Sequence, residues 1–276
     1  MGDGDRPEIG AFVDAGGVKT NYLESGEGAP VVLIHGSGPG VTAYANWRLV
    51  IPDLARHFRV LAPDMAGFGY SDKPGNYTMA GWVNQIISFL DALNLKQASL
   101  VGNSFGGALA LRMAIDQPGR VDRFVLMGAM GIEFPITEGL EAGWGYEPSI
   151  ENMRRTLEFF TYNHELITDE LVEVRYRAAL EPGVQEAFAQ MFPPPRQHSV
   201  HAMASPEELI AQIPHEALII HGRDDQVIPL ENAYRLLRLI PRSELHVFGR
   251  CGHWSQIDWA DEFNAQLIRF FGRKVR

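Results

Sequence analysis

Gly102-Asn103-Ser104-Phe105-Gly106 is the stretch of sequence that decides the fold. It follows an apolar run at residues 98–101 and precedes a helix-forming run at residues 108–115, so a strand, a sharp turn and a helix are predicted here. Glycines on both sides of such a turn allow a backbone crowding that a Cβ atom would block. The pattern therefore predicts a nucleophile elbow, with the Ser104 hydroxyl lifted clear of the sheet at the N-terminal end of a helix.

The composition limits the classes of protein to which the chain can belong. Its 276 residues are 46% hydrophobic, enough for one large core, and the formal net charge of −10 argues against nucleic acid and anionic membranes as partners. The start, Met1-Gly2-Asp3-Gly4-Asp5, lacks the basic and apolar regions of a signal peptide, and no apolar run is long enough to span a bilayer. Because Cys251 is the only cysteine, we expect no disulfides and a cytoplasmic protein.

Strand-like and helix-like stretches alternate along most of the chain. A β-hairpin is predicted at the start, where residues 9–14 and 18–23 flank two glycines. Further strands are predicted at residues 31–34, 59–62, 98–101, 123–127, 217–220 and 244–248. Helices are predicted at residues 82–93, 106–117, 231–240 and 261–271. This alternation predicts an α/β fold with a mostly parallel, doubly wound sheet.

The alternation breaks between about Gly131 and Glu208. Helical patterns occupy residues 152–162 and 168–180, and strands resume only at Ala217. The break follows a strand end, where α/β folds place their binding crevice, so we expect a helical cap rather than an unrelated second domain. The predicted organisation is a core of residues 1–131 and 209–276 with a helical cap of residues 132–208.

A serine nucleophile needs a base, and the base needs a group that orients it. Two loops after predicted strands supply both in the chain order Ser, Asp, His that is expected of this fold. The stretch His221-Gly222-Arg223-Asp224-Asp225 offers the acid, and Cys251-Gly252-His253-Trp254 offers an imidazole on a loop with a glycine. We therefore predict Ser104 as the nucleophile and His253 as the base.

Two neighbouring carboxylates, Asp224 and Asp225, compete for the orienting role. A buried carboxylate without a partner is costly, so one should pair with the histidine. The other should be solvated or paired with a cation such as Arg223. Position in the sequence does not choose between them.

The other histidines considered fit surface or core positions better. They lie on helical or loop stretches and are His57, His164, His198, His201 and His215. The His198-x-x-His201 spacing suits a metal, but no third ligand lies nearby in the sequence. We therefore expect no metal and no organic cofactor, because a triad with an oxyanion hole supplies nucleophile, base and electrostatics.

An oxyanion hole needs two hydrogen-bond donors. One is predicted to be the N–H of Phe105, the residue after the nucleophile, and the other an N–H in the loop after an early strand. His35-Gly36-Ser37-Gly38-Pro39-Gly40 is that loop, and its glycines let the backbone approach a ligand closely. Together with the elbow and the histidine, this loop predicts a hydrolase.

Four motifs are more specific than the elbow alone. They are HGSGPGVTAYANW at residues 35–47, VGNSFGG at 101–107, HGRDDQVIP at 221–229 and FGRCGHWSQ at 248–256. On these motifs the chain resembles the meta-cleavage product hydrolases of the α/β-hydrolase superfamily, from the N-terminal hairpin to the last helix. That family cuts a carbon–carbon bond in 2-hydroxy-6-oxo-dienoates formed by ring opening of catechols.

The resemblance implies a set of site residues. The family's Gly-x-x-Asp-x-x-x-Pro falls on Gly222, Asp225 and Pro229, which favours Asp225 as the acid. The substrate-binding positions that it implies are Ser37, Gly38, Asn46, Asn103, Arg175 and Trp254. A guanidinium at Arg175 suits bidentate binding of a carboxylate.

The predicted cap contains two charged residues, Arg175 and Glu165, for which the resemblance changes or limits the expectation. Without the resemblance, Arg175 would be expected to be a solvated arginine paired with Asp169 or Glu173. Glu165 stands where some relatives carry a small hydroxyl residue, and for that reason we leave it outside the predicted site.

The resemblance implies a reaction in the breakdown of aromatic compounds. The dienol first becomes its keto tautomer, with His253 as the proton shuttle. Attack at the distal ketone by Ser104, or by water that it activates, then gives a carboxylic acid and 2-hydroxypenta-2,4-dienoate. The implied partner is a small carboxylated dienol or ketone, and the resemblance suggests a homo-oligomer.

Other functions use the same residues. A carboxylesterase would share the triad with a different pocket, and a non-catalytic ligand receptor would share only the fold. A haloalkane dehalogenase is disfavoured, because its nucleophile would be an aspartate where Ser104 stands.

The substituent on the distal ketone depends on the pocket wall. Val41-Thr42-Ala43-Tyr44-Ala45-Asn46-Trp47 resembles the branch that acts on monocyclic compounds, which favours hydrogen or a small alkyl group over aryl. The residues predicted to form the wall are Trp144, Phe159, Phe192, Val227 and Trp254.

Overall fold

Eight β-strands form one sheet in the part of the chain that the computed structural model describes, residues 6–273. Residues 1–5, on which the expectation about a signal peptide depends, and residues 274–276 lie outside the described residues. The strands are β1 (Ala11–Asp14), β2 (Lys19–Ser25), β3 (Pro30–Ile34), β4 (Arg59–Pro63), β5 (Ala98–Asn103), β6 (Val121–Met127), β7 (Ala217–Gly222) and β8 (Ser243–Phe248). Every predicted strand is present, with bounds within about two residues of those predicted.

The strand order in the sheet is β1-β2-β4-β3-β5-β6-β7-β8. The pairs β1–β2 and β2–β4 are antiparallel, and all other neighbouring pairs are parallel. Strands β5 and β7 are buried along their whole length, as expected where helices cover both faces of a parallel sheet. The prediction of an α/β fold with a mostly parallel, doubly wound sheet is confirmed.

Thirteen α-helices and two short 3-10 helices occur among the described residues. The α-helices are α1 (Ala43–Trp47), α2 (Ile51–Leu54), α3 (Met79–Ala92), α4 (Phe105–Asp116), α5 (Glu138–Trp144), α6 (Ile150–Phe160), α7 (Asp169–Ala179), α8 (Val184–Met191), α9 (Gln197–Met203), α10 (Glu207–Ile210), α11 (Leu230–Leu239), α12 (Ser255–Asp258) and α13 (Ala260–Phe271). The 3-10 helices are Pro118–Arg120 and His164–Leu166. The four predicted core helices correspond to α3, α4, α11 and α13. Helix α3 begins three residues earlier than predicted, because the Thr78 side chain caps it by accepting from the Gly81 N–H.

Six α-helices, α5 to α10, lie between the neighbouring strands β6 and β7. The Ser205 N–H donates to the Gly131 carbonyl at 2.8 Å, so the two ends of the segment that holds α5 to α9 meet. Helix α10 packs on α4 of the core. A cap at residues 132–208 remains a prediction, which this pairing of the two ends supports.

Alternating residues of the central strands fill two hydrophobic clusters, one on each face of the sheet. Leu100 and Leu126 belong to the cluster that includes α3, α4 and the inserted helices. Val101 and Val125 belong to the cluster under α13. Burial on both faces fixes the register of the sheet, and hence the edge at which its loops emerge. Within residues 6–273, we find no helix with the length and apolar character that crossing a membrane requires.

The carboxyl ends of the parallel strands bring distant loops together. Strand β5 ends at Asn103, directly before Ser104, and β7 ends at Gly222, two residues before the first acid of the Asp224-Asp225 pair. Strand β8 ends at Phe248, five residues before His253. Parallel strands end at the same edge of a sheet, so the predicted nucleophile, acid and base meet there.

Candidate active site

The turn at Ser104 has the strained geometry of a nucleophile elbow. Ser104 adopts φ 53° and ψ −112°, in the region of positive φ that residues with a Cβ rarely occupy. A Cβ on Gly102 would lie 2.2 Å from the Gly106 carbonyl oxygen, and a Cβ on Gly106 would lie 2.2 Å from the Ile34 carbonyl oxygen. Glycine is therefore required on both sides of the serine. Phe105 is the first residue of α4, where a backbone N–H has no partner within the helix.

His253 is bonded to a buried carboxylate. Its Nδ1 lies 2.8 Å from Asp225 Oδ2, and both side chains are almost wholly inaccessible to solvent. The other oxygen, Oδ1, accepts from the N–H groups of Val227 at 2.7 Å and Ile228 at 2.9 Å. Burial alone would raise the pKa of Asp225, but His253 and His221 outweigh burial and hold that pKa well below its ordinary value. Asp225 is thus an anion placed to orient the imidazole.

The competing acid lies elsewhere. The Asp224 carboxylate is half-exposed, pairs with Arg223 at 3.2 Å and accepts from the Cys251 N–H at 3.3 Å. Desolvation is the largest single influence and raises the pKa of Asp224, but hydrogen bonds from Arg223 and from the Cys251 N–H together lower that pKa below its ordinary value. The structure therefore brings Asp225, and not Asp224, to His253, as the motif of the family implies.

A second histidine contacts the same acid, which the sequence analysis did not anticipate. His221 Nε2 lies 3.3 Å from Asp225 Oδ2 and 3.0 Å from the Ile228 carbonyl oxygen. Both neighbours are acceptors, so this nitrogen carries the proton. The sequence signal that could have revealed this contact is the position of His221, near the end of β7 and four residues before Asp225.

Ser104 and His253 line one narrow cavity beneath the inserted helices. The lining residues are Gly36, Ser37, Gly38, Val41, Asn46, Asn103, Ser104, Leu140, Gly143, Trp144, Phe160, Arg175, Val227, His253 and Trp254. The cavity leaves about 10 Å³ for the centres of water-sized molecules, which is room for roughly one water. No hydrogen bond joins the Ser104 hydroxyl to His253 within residues 6–273, and such contacts often tighten only when substrate binds.

The predicted oxyanion loop is held by buried hydrogen bonds. His35 Nδ1 donates to the Gly36 carbonyl at 2.6 Å, while its Nε2 accepts from the Met65 N–H at 2.9 Å. Burial lowers the pKa of His35 to about 4, so the ring is neutral at neutral pH. Gly40, with φ 60°, lies against the Arg175 backbone, where a Cβ would be 1.9 Å from the carbonyl oxygen. The loop is therefore fixed between the core and α7.

Arg175 is the largest buried polar side chain of the site. It is 1% exposed, its Nη2 donates to the Pro39 carbonyl at 2.9 Å, and its guanidinium lies 4.7 Å from the centre of the Trp254 ring. Its Nε has no hydrogen-bond partner, and within residues 6–273 no carboxylate forms an ion pair with it. Burial, followed by repulsion from Arg48, lowers the pKa of Arg175 to about 9, so the group remains charged at neutral pH.

Arg175 does not make the surface ion pair expected without the resemblance. Asp169 pairs instead with Arg154, one helix away. Glu165 is exposed and lies outside the lining of the cavity. The inserted helices therefore present a cation, and no acid, to the cavity.

Two buried amides face the cavity with unused hydrogen-bonding groups. Asn46 Oδ1 accepts from the Gly36 N–H at 3.3 Å, which leaves its Nδ2 without a partner. Asn103 Nδ2 contacts the Met127 carbonyl at 3.4 Å, which leaves its Oδ1 without a partner. A buried polar group normally has a partner, so a free donor and a free acceptor here suit a polar ligand.

The aromatic wall differs in part from the predicted one. Trp144, Val227 and Trp254 line the cavity as predicted. Phe160 lines it in place of Phe159, stacked on Trp254 at a centroid distance of 4.9 Å. Phe192 lies behind the lining, stacked on Trp144. The helical pattern of α6 placed Phe159 and Phe160 on this helix, but it did not show which of the two faces the core.

The cavity also has small and aliphatic wall residues that the sequence analysis missed. Leu140 and Gly143 of α5 line it beside Trp144. Helix α5 is only seven residues long and contains two glycines, so its pattern is too short and too weak to be recognised. No cluster of three or more His, Cys, Asp or Glu side chains placed to hold a metal is found within residues 6–273.

Comparisons with known proteins extend these observations. Residues 29–260 match the family model of the alpha/beta hydrolase fold. The chain is 58% identical over 253 residues to the 2-hydroxy-6-oxo-2,4-heptadienoate hydrolase of Pseudomonas putida strain F1, across 91% of this chain and 92% of that protein. It is 56% identical over 267 residues to the 2-hydroxymuconate semialdehyde hydrolase of Pseudomonas sp. strain CF600, across 96% and 94%.

A solved structure shows the same architecture. The meta-cleavage product hydrolase CumD from Pseudomonas fluorescens IP01, solved as a serine-to-alanine mutant with acetates, superposes with a TM-score of 0.95 at 56% identity. The match covers 97% of this chain and 99% of that one. The chain therefore belongs to the α/β-hydrolase fold family and, within it, to the meta-cleavage product hydrolases.

Proposed function

We propose that the chain hydrolyses a carbon–carbon bond in 2-hydroxy-6-oxo-hexa-2,4-dienoates, such as 2-hydroxymuconic semialdehyde or its small 6-alkyl analogues. The products are 2-hydroxypenta-2,4-dienoate and a carboxylic acid. The names of the two relatives at 58% and 56% identity support this substrate class. They also support a role in the breakdown of aromatic compounds.

The observation that carries the proposal is the buried cation in the cavity. Arg175 is enclosed without an acidic partner, which is costly unless a ligand supplies the anion. A planar guanidinium binds a carboxylate through two parallel hydrogen bonds. A simple ester would leave this charge unpaired, whereas a dienoate carries the carboxylate that pairs with it.

In the proposed mechanism, Ser104, His253 and Asp225 act as a triad. The dienol first becomes the keto tautomer: His253 moves a proton from the 2-hydroxyl oxygen to carbon 5. Ser104, or a water that it activates, then attacks carbon 6, and the bond between carbons 5 and 6 breaks. The electron pair enters the dienolate, which is reprotonated. In the serine route a water then hydrolyses the acyl-serine to the carboxylic acid and frees Ser104, and in the water route the acid forms directly, so either route consumes one water.

Charge development in this mechanism matches the groups around the cavity. The N–H groups of Phe105 and of the loop at Gly38 are the donors that we assign to the oxyanion at carbon 6. Ionised Asp225 stabilises the imidazolium that forms when His253 accepts a proton. The free Asn46 Nδ2 can donate to a carboxylate or enol oxygen, and the free Asn103 Oδ1 can accept from the enol hydroxyl.

The names of two relatives support a small substituent on the distal ketone. A 2-hydroxy-6-oxo-2,4-heptadienoate carries a methyl group there and a 2-hydroxymuconate semialdehyde carries hydrogen. The rings of Trp144 and Phe160 line the same cavity as Ser104 and would oppose a bulky group. We expect kcat/KM to be highest for formyl and methyl ketones, lower for isopropyl and lowest for phenyl. A kcat/KM series across these four substrates tests the preference.

Two measurements test the function itself. Loss of the dienoate absorbance, compared with hydrolysis of a p-nitrophenyl ester by kcat/KM, distinguishes a carbon–carbon hydrolase from a carboxylesterase. Ser104→Ala should still bind the dienoate and should lower turnover by orders of magnitude. Near-normal turnover in this variant would remove Ser104 from the mechanism, and tight binding without product in the wild type would identify a receptor.

We also propose a cytoplasmic homo-oligomer. The location is supported by the use of a single cysteine, Cys251, which is buried and whose thiol pKa burial raises to about 12. The assembly is supported by the resemblance to the family. Cell fractionation and light scattering coupled to size-exclusion chromatography test these two points, and a monomer at micromolar concentration would contradict the second.

A further inference from the structure

A hydrogen bond joins the inserted helices to the oxyanion loop. The indole Nε1 of Trp144, the last residue of α5, donates to Ser37 Oγ at 2.9 Å. Both side chains are buried, and both line the cavity that contains Ser104. The two residues are 107 positions apart in the sequence, so the bond forms only when α5 docks on the core.

The direction of this bond determines what the Ser37 hydroxyl can do next. An indole nitrogen is a donor only, so the Ser37 oxygen is the acceptor. The hydroxyl keeps its own proton, and a buried donor normally has a partner. Among the described residues, 6–273, the structure shows no acceptor for this proton. The proton is therefore available to a ligand in the cavity.

The indole is held in its orientation from behind. Trp144 stacks on Phe192 with ring centroids 4.4 Å apart and an interplanar angle of 8°. Phe192 is buried and meets Phe188 edge to face at 5.0 Å. Rotation of the indole would break this stack and leave a gap among buried rings, which is unfavourable in a close-packed interior. The Ser37 oxygen is thus kept in the role of acceptor.

We propose that Trp144 is a positioning residue that turns the Ser37 proton into the cavity, where it donates to an oxygen of the bound dienoate. The identity of the ligand rests on the proposed function. The carboxylate, enol and ketone oxygens all accept hydrogen bonds on arrival, so the bond forms in the ground state. Its loss should raise KM more than it lowers kcat.

A double-mutant cycle separates the hydrogen bond from the shape of the pocket. Trp144→Phe keeps an aromatic ring against Phe192 and removes only the donor, whereas Ser37→Ala removes the hydroxyl. We expect each variant to raise KM by about 3- to 10-fold, with kcat within about twofold of the wild type. The double variant should have the KM of Ser37→Ala, because the indole acts only through the hydroxyl.

A matched tryptophan outside the cavity is the control. Trp259 also stacks on an aromatic ring, that of Phe248, and its Nε1 donates to the Arg250 carbonyl at 3.2 Å. Trp259→Phe removes the same chemical group and should leave KM unchanged. Two substitutions of equal shape test the hydroxyl without altering the indole. Ser37→Val, which lacks the hydroxyl, should raise KM, whereas Ser37→Thr, which keeps it, should have a KM close to that of the wild type.

The outcomes separate this inference from the proposed function. An unchanged KM in Trp144→Phe, or an equal increase in the Ser37→Ala background, would mean that the indole acts through pocket shape and would overturn the inference. A wild type that hydrolyses p-nitrophenyl acetate and leaves the dienoate intact would overturn the proposed function instead. The same cycle, measured on the KM of the ester, would then decide the inference, because an ester carbonyl is also an acceptor.

Discussion

Two ionised side chains of opposite sign are buried at this site, and their surroundings differ sharply. The Asp225 carboxylate accepts hydrogen bonds from His253 and from two backbone N–H groups, and His221 Nε2 lies 3.3 Å from it. The Arg175 guanidinium donates to the Pro39 carbonyl and lies over the Trp254 ring. Among residues 6–273, no carboxylate neutralises it.

The difference separates a side chain that is fully bonded within the chain, Asp225, from one that is placed to bind a ligand, Arg175. A buried charge is tolerated when hydrogen bonds and opposite charges replace the lost water. Asp225 has that replacement within the chain, and its pKa lies below the ordinary value. Arg175 lacks it, and burial lowers its pKa to about 9. We therefore assign Asp225 to the proposed catalytic machinery and propose that a ligand completes the surroundings of Arg175.

The largest effect is expected from Asp225→Asn, which removes the buried charge that has its partners within the chain. The amide cannot stabilise an imidazolium and favours the wrong tautomer of His253, so kcat should fall by about 10³- to 10⁴-fold. Asp224→Asn is the matched control, because that half-exposed carboxylate pairs with Arg223 and does not touch His253. Its kcat should stay within about threefold of the wild type. Equal losses in both variants would contradict the assignment.

Arg175→Met removes the buried charge that has no acidic partner among the described residues. We expect kcat/KM for the dienoate to fall by about 10²-fold, because the carboxylate loses a charge-assisted pair of bonds. Hydrolysis of p-nitrophenyl acetate, which has no carboxylate, should change little. The melting temperature should stay equal or rise, because an unpaired buried charge is removed. Arg175→Lys, which keeps the charge without the planar fork, should recover only part of the loss.

His221→Phe removes the second imidazole N–H that lies beside the Asp225 carboxylate. With three donors left on the carboxylate, we expect kcat to fall by about 10-fold, which is far less than in Asp225→Asn. His221→Gln offers an N–H at a similar reach and should recover part of the activity. Steady-state kinetics beside thermal unfolding separates positioning from folding. A loss of stability with unchanged kcat in the folded fraction would reduce His221 to a structural role.

The smallest effect concerns stability against pH. The pKa of folded Asp225 lies below its ordinary value of 3.8, so this group stabilises the fold above about pH 4 and loses that contribution as the pH falls further. The difference in melting temperature between the wild type and Asp225→Asn should therefore narrow from about pH 6 to pH 3. The difference for Arg175→Met should stay constant over that range, because the guanidinium remains charged. Calorimetry of the three proteins measures both.

The sequence predicted those site residues whose position depends on local structure. Ser104, Asp225 and His253 each follow a strand of a parallel sheet, and parallel strands end at one edge, so recognising the strands brings the three together. The separation of Asp225 from Asp224 needed the motif of the family, since both acids follow the same strand. The roles of these residues remain proposals for the experiments above.

Contacts that depend on docking of the inserted helices could not be predicted. Periodicity shows that α6 has an apolar face, but which of two adjacent phenylalanines enters the cavity depends on a rotation of the helix by about 100°. The Trp144–Ser37 bond joins residues 107 positions apart. Helices α1 and α2 have five and four residues, too few to show a helical period.

The pairing of Ser205 with Gly131 has a consequence for how such enzymes diversify. Gly131 follows β6 and Ser205 precedes α10 and β7, and a hydrogen bond holds the two residues together. We therefore expect the pairing of β6 with β7 to tolerate changes in the length of the segment between Gly131 and Ser205. Lengthening a loop whose ends are already held together adds little entropic cost. We therefore expect the segment to be exchangeable. Its replacement at these two junctions should alter the substrate range, while Ser104, Asp225 and His253 keep their places on the loops of the sheet.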